Sequence, residues 1–177
     1  MQLHFKKVTL HNFFCFVHEE VNLEDMGYTM VTGINNNSID NALSNGSGKS
    51  SIFNAICYAL TGETAQGLSN NIENIFADPD DCWVELELLV GDDIFIIRRI
   101  KTPRPDLKIY MNGDDISGKG IRESSKHLAE YLPDLTSTLL GSIIILGQGL
   151  PSKFTEGQAC NRKEKLEKLT KSDFMVQ

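Results

Sequence analysis

Seven consecutive residues, Asn45-Gly46-Ser47-Gly48-Lys49-Ser50-Ser51, carry the most specific chemistry in this 177-residue chain. Glycines in such a string let successive backbone N–H groups turn toward one anion, and a helix starting there adds the positive end of its dipole. Lys49 would then reach the β- and γ-phosphates of a nucleotide, and the Ser50 hydroxyl would complete a magnesium shell. A G-x-G-K-[ST] string arises by chance in about 1% of chains of this length, so a plain Gly-Ser surface loop is the weaker reading. Gly118-Lys119-Gly120 lacks the Ser or Thr and reads as a turn. One position departs from the full pattern: Leu43 stands five residues before Gly48, where a glycine is expected. Gly33 comes ten residues too early, which implies an insertion at 34–43 between a strand end and the cradle. Such an insertion is tolerable, because loop-closure cost grows slowly with length.

The elements that must position this loop follow from periodicity. Residues 3–10 read as a strand, with Leu3, Phe5, Val8 and Leu10 apolar, and a second strand spans 14–23 after a turn at Asn12. Residues 28–32 form a short β-rich run ending at Gly33. After Lys49 the period changes: Ile52, Phe53, Ile56, Ala59 and Leu60 fall at helical spacing, and Gly62 is a C-terminal stop. Over 82–90 the period is two, Gly91-Asp92-Asp93 turns the chain, and 94–99 returns as a strand. Residues 107–111 and 114–117 make another hairpin around Asn112-Gly113. Residues 121–132 read as a helix with Ile121, Leu128 and Leu132 on one face, ended by Pro133. Residues 161–177 are charged and helical in propensity, with only Leu166 and Leu169 as an apolar stripe, so that helix needs a partner or a continuation.

Composition bounds the function classes. Lys and Arg number 17 against 24 Asp and Glu, a formal charge of −7, which excludes nucleic-acid binding by bulk positive charge though not by a local patch. At 41% hydrophobic and 23% charged the chain is an ordinary globular one, long enough for one sizeable core. It shows no apolar run of membrane-spanning length and no secretory leader. Cys15, Cys57, Cys82 and Cys160 are far apart, which fits reduced thiols and a cytoplasmic location. His4, His11, His18 and His127 show no metal-ligand spacing.

Four blocks in order resemble the N-terminal half of the ATPase head of SMC-like DNA-repair ATPases, of the SbcC and phage recombination endonuclease large-subunit type. Phe5-Lys6-Lys7-Val8-Thr9-Leu10-His11-Asn12-Phe13 is similar to that family's first strand, and Asn45 to Ser51 to its Walker A loop. Phe95-Ile96-Ile97-Arg98-Arg99 resembles the strand before its hairpin. Ile143-Ile144-Ile145-Leu146-Gly147-Gln148-Gly149, followed by the charged helix from Arg162, resembles its Q-loop and the start of a coiled coil. Phe14 stands where the family often has Arg or Lys.

The resemblance implies an α/β fold: a P-loop NTPase of ABC-ATPase head type, with a mixed sheet carrying an antiparallel β portion, N-terminal lobe only. It implies a head half over 1–160 and the beginning of a coiled-coil helix over 161–177. The implied catalytic residues are Lys49 and Gln148. Nucleotide contacts would come from Asn45, Gly46, Ser47, Gly48, Lys49, Ser50, Ser51 and Asn12, and magnesium contacts from Ser50 and Gln148. Implied cofactors are ATP and Mg. Implied partners are the C-terminal half of the head, a second head, an SbcD-type nuclease subunit and DNA. In the family a signature motif and a Walker B carboxylate pair arrive after the coiled coil, and neither occurs here, so hydrolysis would require the missing half.

Several residues also have plainer readings. Asn12 is equally a turn residue, Gln148 a solvated glutamine, and Trp83 core or sheet surface. Arg98 and Arg99 read as edge-strand charges in preference to DNA contacts. Two rival functions remain: a small-molecule or nucleotide kinase, against which the β-hairpins over 82–111 speak, and a non-catalytic P-loop interaction protein.

Overall fold

The computed structural model describes residues 3–34, 47–77, 81–133 and 135. Expectations for Asn45, Gly46, most of the 34–43 insertion, Gln148 and the helix at 161–177 lie outside the described residues. The described elements run β1 (Leu3–Phe13), β2 (Phe16–Asn22), α1 (Lys49–Thr61), β3 (Cys82–Val90), β4 (Asp93–Thr102), β5 (Asp106–Met111), β6 (Asp114–Asp115) and α2 (Ile121–Tyr131). The strands form one sheet in the order β2-β1-β3-β4-β5-β6, every pair antiparallel.

The apolar spacing of β1 explains its shape. Leu3 and Phe5 fall on odd positions, Val8 and Leu10 on even ones, so a regular strand would turn one pair away from the core. A register shift between Phe5 and Lys7 against β3 absorbs the change of parity. Val8 and Leu10 are then fully buried, and Lys6 at the irregularity reaches out to Glu24 and Glu87 at 3.6 and 3.9 Å. In β3 strict alternation buries Cys82, Val84, Leu86 and Leu88 and leaves Trp83, Glu85 and Glu87 on the outer face. There Trp83 lies beneath the Arg98 guanidinium, 3.9 Å from its ring centroid, and stacks on His11, which matches a sheet-surface role.

α1 packs on β1, β3 and β4 and is buried without a break from Asn54 to Leu60, so it is a core helix rather than a surface one. Gly62 ends it in the left-handed conformation at φ 83°, donating to the Tyr58 carbonyl as a helix stop should. α2 packs on β5 through Leu128 and ends one residue before Leu132, ahead of Pro133.

Three expectations are corrected. Residues 28–32 form no strand, because a strand exists only by pairing and none of the six described strands lies beside them; Tyr28 and Met30 stand almost fully exposed. The turn falls at Phe14-Cys15 rather than at Asn12, which is buried inside β1 at φ 47°, so β2 begins at Phe16. Arg98 and Arg99 are not edge charges, since β4 lies between β3 and β5.

Arg99 is buried on the α1 side of the sheet. Its Nε–H donates to the Ala59 carbonyl at 3.1 Å and its Nη2 to the Leu60 carbonyl at 3.4 Å. These belong to the last turn of α1, whose carbonyls have no helical partner and carry the negative end of the dipole. Burial holds the guanidinium down to about 10, with nearby Tyr58 acting in the opposite sense, so it remains charged at neutral pH. Arg99→Met, which keeps most of the stem and removes the donors, is expected to lower stability by about 2 kcal/mol in urea unfolding. Arg98→Met on the outer face should cost about 1 kcal/mol or less.

Burial also raises the Cys57 and Cys82 thiols from 9.0 to about 11 and about 12. Above pH 9 the folded chain therefore holds protons that the unfolded chain releases, and stability falls as pH rises. Arg99 acts in reverse above about pH 10, where the folded chain gives up a proton first. The urea midpoint should accordingly decline between pH 9 and 10, and Cys57→Ala, though less stable at pH 7, should show a shallower decline. A midpoint independent of pH over that interval would contradict the burial of these thiols.

Candidate nucleotide-binding site

α1 begins at Lys49 because Gly48 takes the left-handed conformation, φ 81°, and turns the chain into the first helical residue. Gly48 is demanded twice over. A Cβ there would sit 2.5 Å from the Cys15 sulfur and 2.9 Å from the Phe16 ring, so the loop is seated on the β1–β2 turn. No side chain caps this helix start among the described residues, and its first turn holds no acidic residue. The Ser51 N–H bonds back to the Gly48 carbonyl at 2.9 Å, which closes the first turn. The first-turn donors and the dipole thus meet an approaching anion without a competing carboxylate on the helix.

Lys49 Nζ donates to Ser47 Oγ at 3.1 Å, folding the lysine back over its own loop. Gly33 lies against the same pair: a Cβ there would overlap the Ser47 side chain and sit 3.3 Å from Lys49 Nζ. The glycine that ends the β-rich run therefore reaches the cradle despite the insertion that separates them in sequence.

A cavity of about 810 Å³ opens from this loop. Among the described residues, Ser47, Gly48, Lys49, Ser50 and Ser51 form one wall, and Phe14, Cys15, Asn71, Glu73, Ile75 and Phe76 line the rest. The segment carrying Ile75 and Phe76 is tied to the end of β1 and the turn after it by backbone bonds, Asn74 N–H to the Asn12 carbonyl at 2.8 Å and Phe14 N–H to the Ile72 carbonyl at 2.7 Å. Buried Asn74 then accepts the Phe76 N–H on its side-chain oxygen at 2.9 Å, fixing the turn that presents both apolar side chains.

The structure thus brings together Ser47, Gly48, Lys49, Ser50 and Ser51. Asn12 does not line the cavity; its side chain donates to the Asp81 carbonyl at 2.8 Å. Sequence reading missed Cys15, Asn71, Glu73, Ile75 and Phe76. The available signal was an isolated apolar pair, Ile75-Phe76, in an otherwise polar stretch. Among the described residues no group of three His, Cys, Asp or Glu side chains could hold a metal, and no helix is long and apolar enough to cross a membrane.

This cradle at the start of a helix on a sheet defines a P-loop nucleotide-binding domain. The chain belongs to the AAA domain family, whose model matches residues 7–174, and is the N-terminal part of an SMC-like ATPase head. It is 30% identical over 171 residues to the DNA double-strand break repair Rad50 ATPase of Methanocaldococcus jannaschii, covering 96% of this chain and 15% of that protein. It is 28% identical over 166 residues to the Rad50 ATPase of Methanococcus maripaludis, covering 93% and 15%. The chain therefore spans about 15% of the length of these curated relatives. Among solved structures, the Pyrococcus furiosus Smc head domain with an extended coiled coil, bound to the C-terminal domain of ScpA, matches 97% of this chain and 47% of its own. The TM-score is 0.56 at 17% identity, a likeness of fold.

Gly33→Val should displace Ser47 and Lys49 without disturbing the sheet. The expected result is nucleotide affinity reduced tenfold or more with an unchanged urea midpoint, read by calorimetry and circular dichroism. Equal affinity in the variant would separate Gly33 from the cradle.

Proposed function

We propose that this chain binds ATP with magnesium as the N-terminal part of an SMC-like DNA-repair ATPase. The observation that carries this reading is the start of α1 directly after the left-handed Gly48, with Lys49 folded over Ser47 and Gly33 packed against both. Lys49 engages the β- and γ-phosphates, and the backbone N–H groups of the 45–51 loop surround them. Exposed Ser50 offers one hydroxyl to magnesium. That donor set fits an ion that keeps its waters and takes its remaining oxygens from the nucleotide phosphates. The ion would neutralise charge on the transferring phosphate.

Gln148 acts at the attacking water, and Asn12 acts on the nucleotide side through its carbonyl, which accepts the Asn74 N–H of the segment lining the cavity. The head half covers 1–160 and leads at 161–177 into a coiled coil. Residues 28–32 support a C-terminal half as partner: a β-prone segment that ends at the cradle lies exposed, as a central strand would before its neighbours join it. That half brings the carboxylates that orient water, and two heads close over two nucleotides. In this reading the assembly acts on DNA with an SbcD-type nuclease subunit in the cytoplasm, where Cys57 and Cys82 remain reduced thiols.

The test is magnesium–ATP calorimetry on this chain beside Lys49→Ala. Binding in the wild type and at least a tenfold loss in the variant are expected, with hydrolysis appearing once the C-terminal half is supplied. Equal binding in both proteins would remove the cradle from the reading.

A further inference from the structure

Ile75 and Phe76 are exposed, at 85% and 90%, and unlike the equally exposed Tyr28 they line the cavity at the cradle, on a turn held by hydrogen bonds. Large apolar side chains left in water carry a cost unless something covers them. The backbone bonds from the end of β1 and the turn after it, with the buried Asn74 oxygen, show that their position is built rather than incidental. Both also line the cavity whose other wall is the phosphate cradle, and Phe14 adds a third apolar surface. A cavity polar and anion-seeking at one wall and aromatic at the other has the chemical division of a nucleotide, charged phosphates joined to a flat apolar base.

Resting on the nucleotide-binding reading above, we propose that Phe76 is the base-stacking residue of this site, with Ile75 and Phe14 flanking the ring. The contact is made to the π-face of the base. Its strength therefore grows with ring area, and purine nucleotides bind more tightly than pyrimidine ones. The phosphates remain the business of Lys49 and the loop, so the two ends of the ligand are recognised by different residues.

Four proteins separate the two claims: wild type, Phe76→Ala, Phe76→Trp and Lys49→Ala. Each is titrated with magnesium complexes of ATP, CTP and inorganic tripolyphosphate by calorimetry. Phe76→Ala should weaken ATP about tenfold, the loss of one stacking contact, and leave tripolyphosphate unchanged. Phe76→Trp should restore ATP affinity and show fluorescence quenching by ATP that tripolyphosphate does not produce. Phe76 is solvent-exposed, so none of these changes should move the urea midpoint.

ATP bound equally by wild type and Phe76→Ala, with Lys49→Ala still impaired, would overturn the stacking role and leave the cradle standing. Parallel losses of ATP and tripolyphosphate in Phe76→Ala would also overturn it, since the residue would then be shaping the loop. Wild type that binds neither ligand would overturn the nucleotide reading and the stacking role with it.

Discussion

The site depends on α1 being held at both ends. At its C-terminus, Arg99 crosses from β4 to bind the Ala59 and Leu60 carbonyls. At its N-terminus, Gly48 is seated on Cys15 and Phe16 so closely that a methyl group would not fit. Between them the helix is buried without a break from Asn54 to Leu60, which packs it against the sheet. A phosphate cradle made of backbone N–H groups has no adjustable side chains to correct its aim. Its geometry is therefore the geometry of the helix start, and that is fixed by the sheet. A buried guanidinium 40 residues away in sequence from its Ala59 acceptor thus belongs to the positioning of the cradle.

What was legible in the sequence was local. Gly48 and Gly62 bracket α1, and the alternation in β3 declares its buried face, because these depend on dihedral freedom and a period of two or 3.6. Less legible was anything that needed a distant partner. Arg99 follows Arg98 and looks identical to it, yet the pleat sends one under the sheet to a helix and the other over Trp83. Asn12 looked like a turn residue, and its positive φ is real, but β1 continues through it to Phe13. Ile75 and Phe76 carry no periodic pattern, so only the hydrogen bonds that bring residues 72–74 beside β1 disclose their cavity.

The corrected segment at 28–32 shows the same rule from the other side. Its residues have strand propensity and its last glycine touches the cradle, yet it lies exposed and outside the sheet. Propensity states what a segment would do given a neighbour; it does not supply the neighbour. Antiparallel strands such as β3 and β4 carry their partners in the next hairpin and form within the chain. Gly33 nonetheless meets the cradle by direct contact with Ser47 and Lys49, although ten residues more than the motif's spacing separate it from them in sequence.

The net charge of −7 gives this arrangement a further consequence. A nucleotide triphosphate is repelled by the long-range field of the chain, so it must be attracted by groups that act only at short range. Screening by salt extinguishes the first effect over about 8–10 Å while leaving close hydrogen bonds largely intact. The helix start, without an acidic residue in its first turn, and Lys49 are such groups. Glu73, the one carboxylate among the described residues of the cavity lining, is engaged by the Ile72 N–H at 3.0 Å. The apolar wall at Ile75 and Phe76 is indifferent to charge, so it can hold the base in a molecule whose surface disfavours the phosphates. Division of the ligand between a dipolar cradle and an aromatic wall is thus the solution open to an acidic protein that must hold a polyanion.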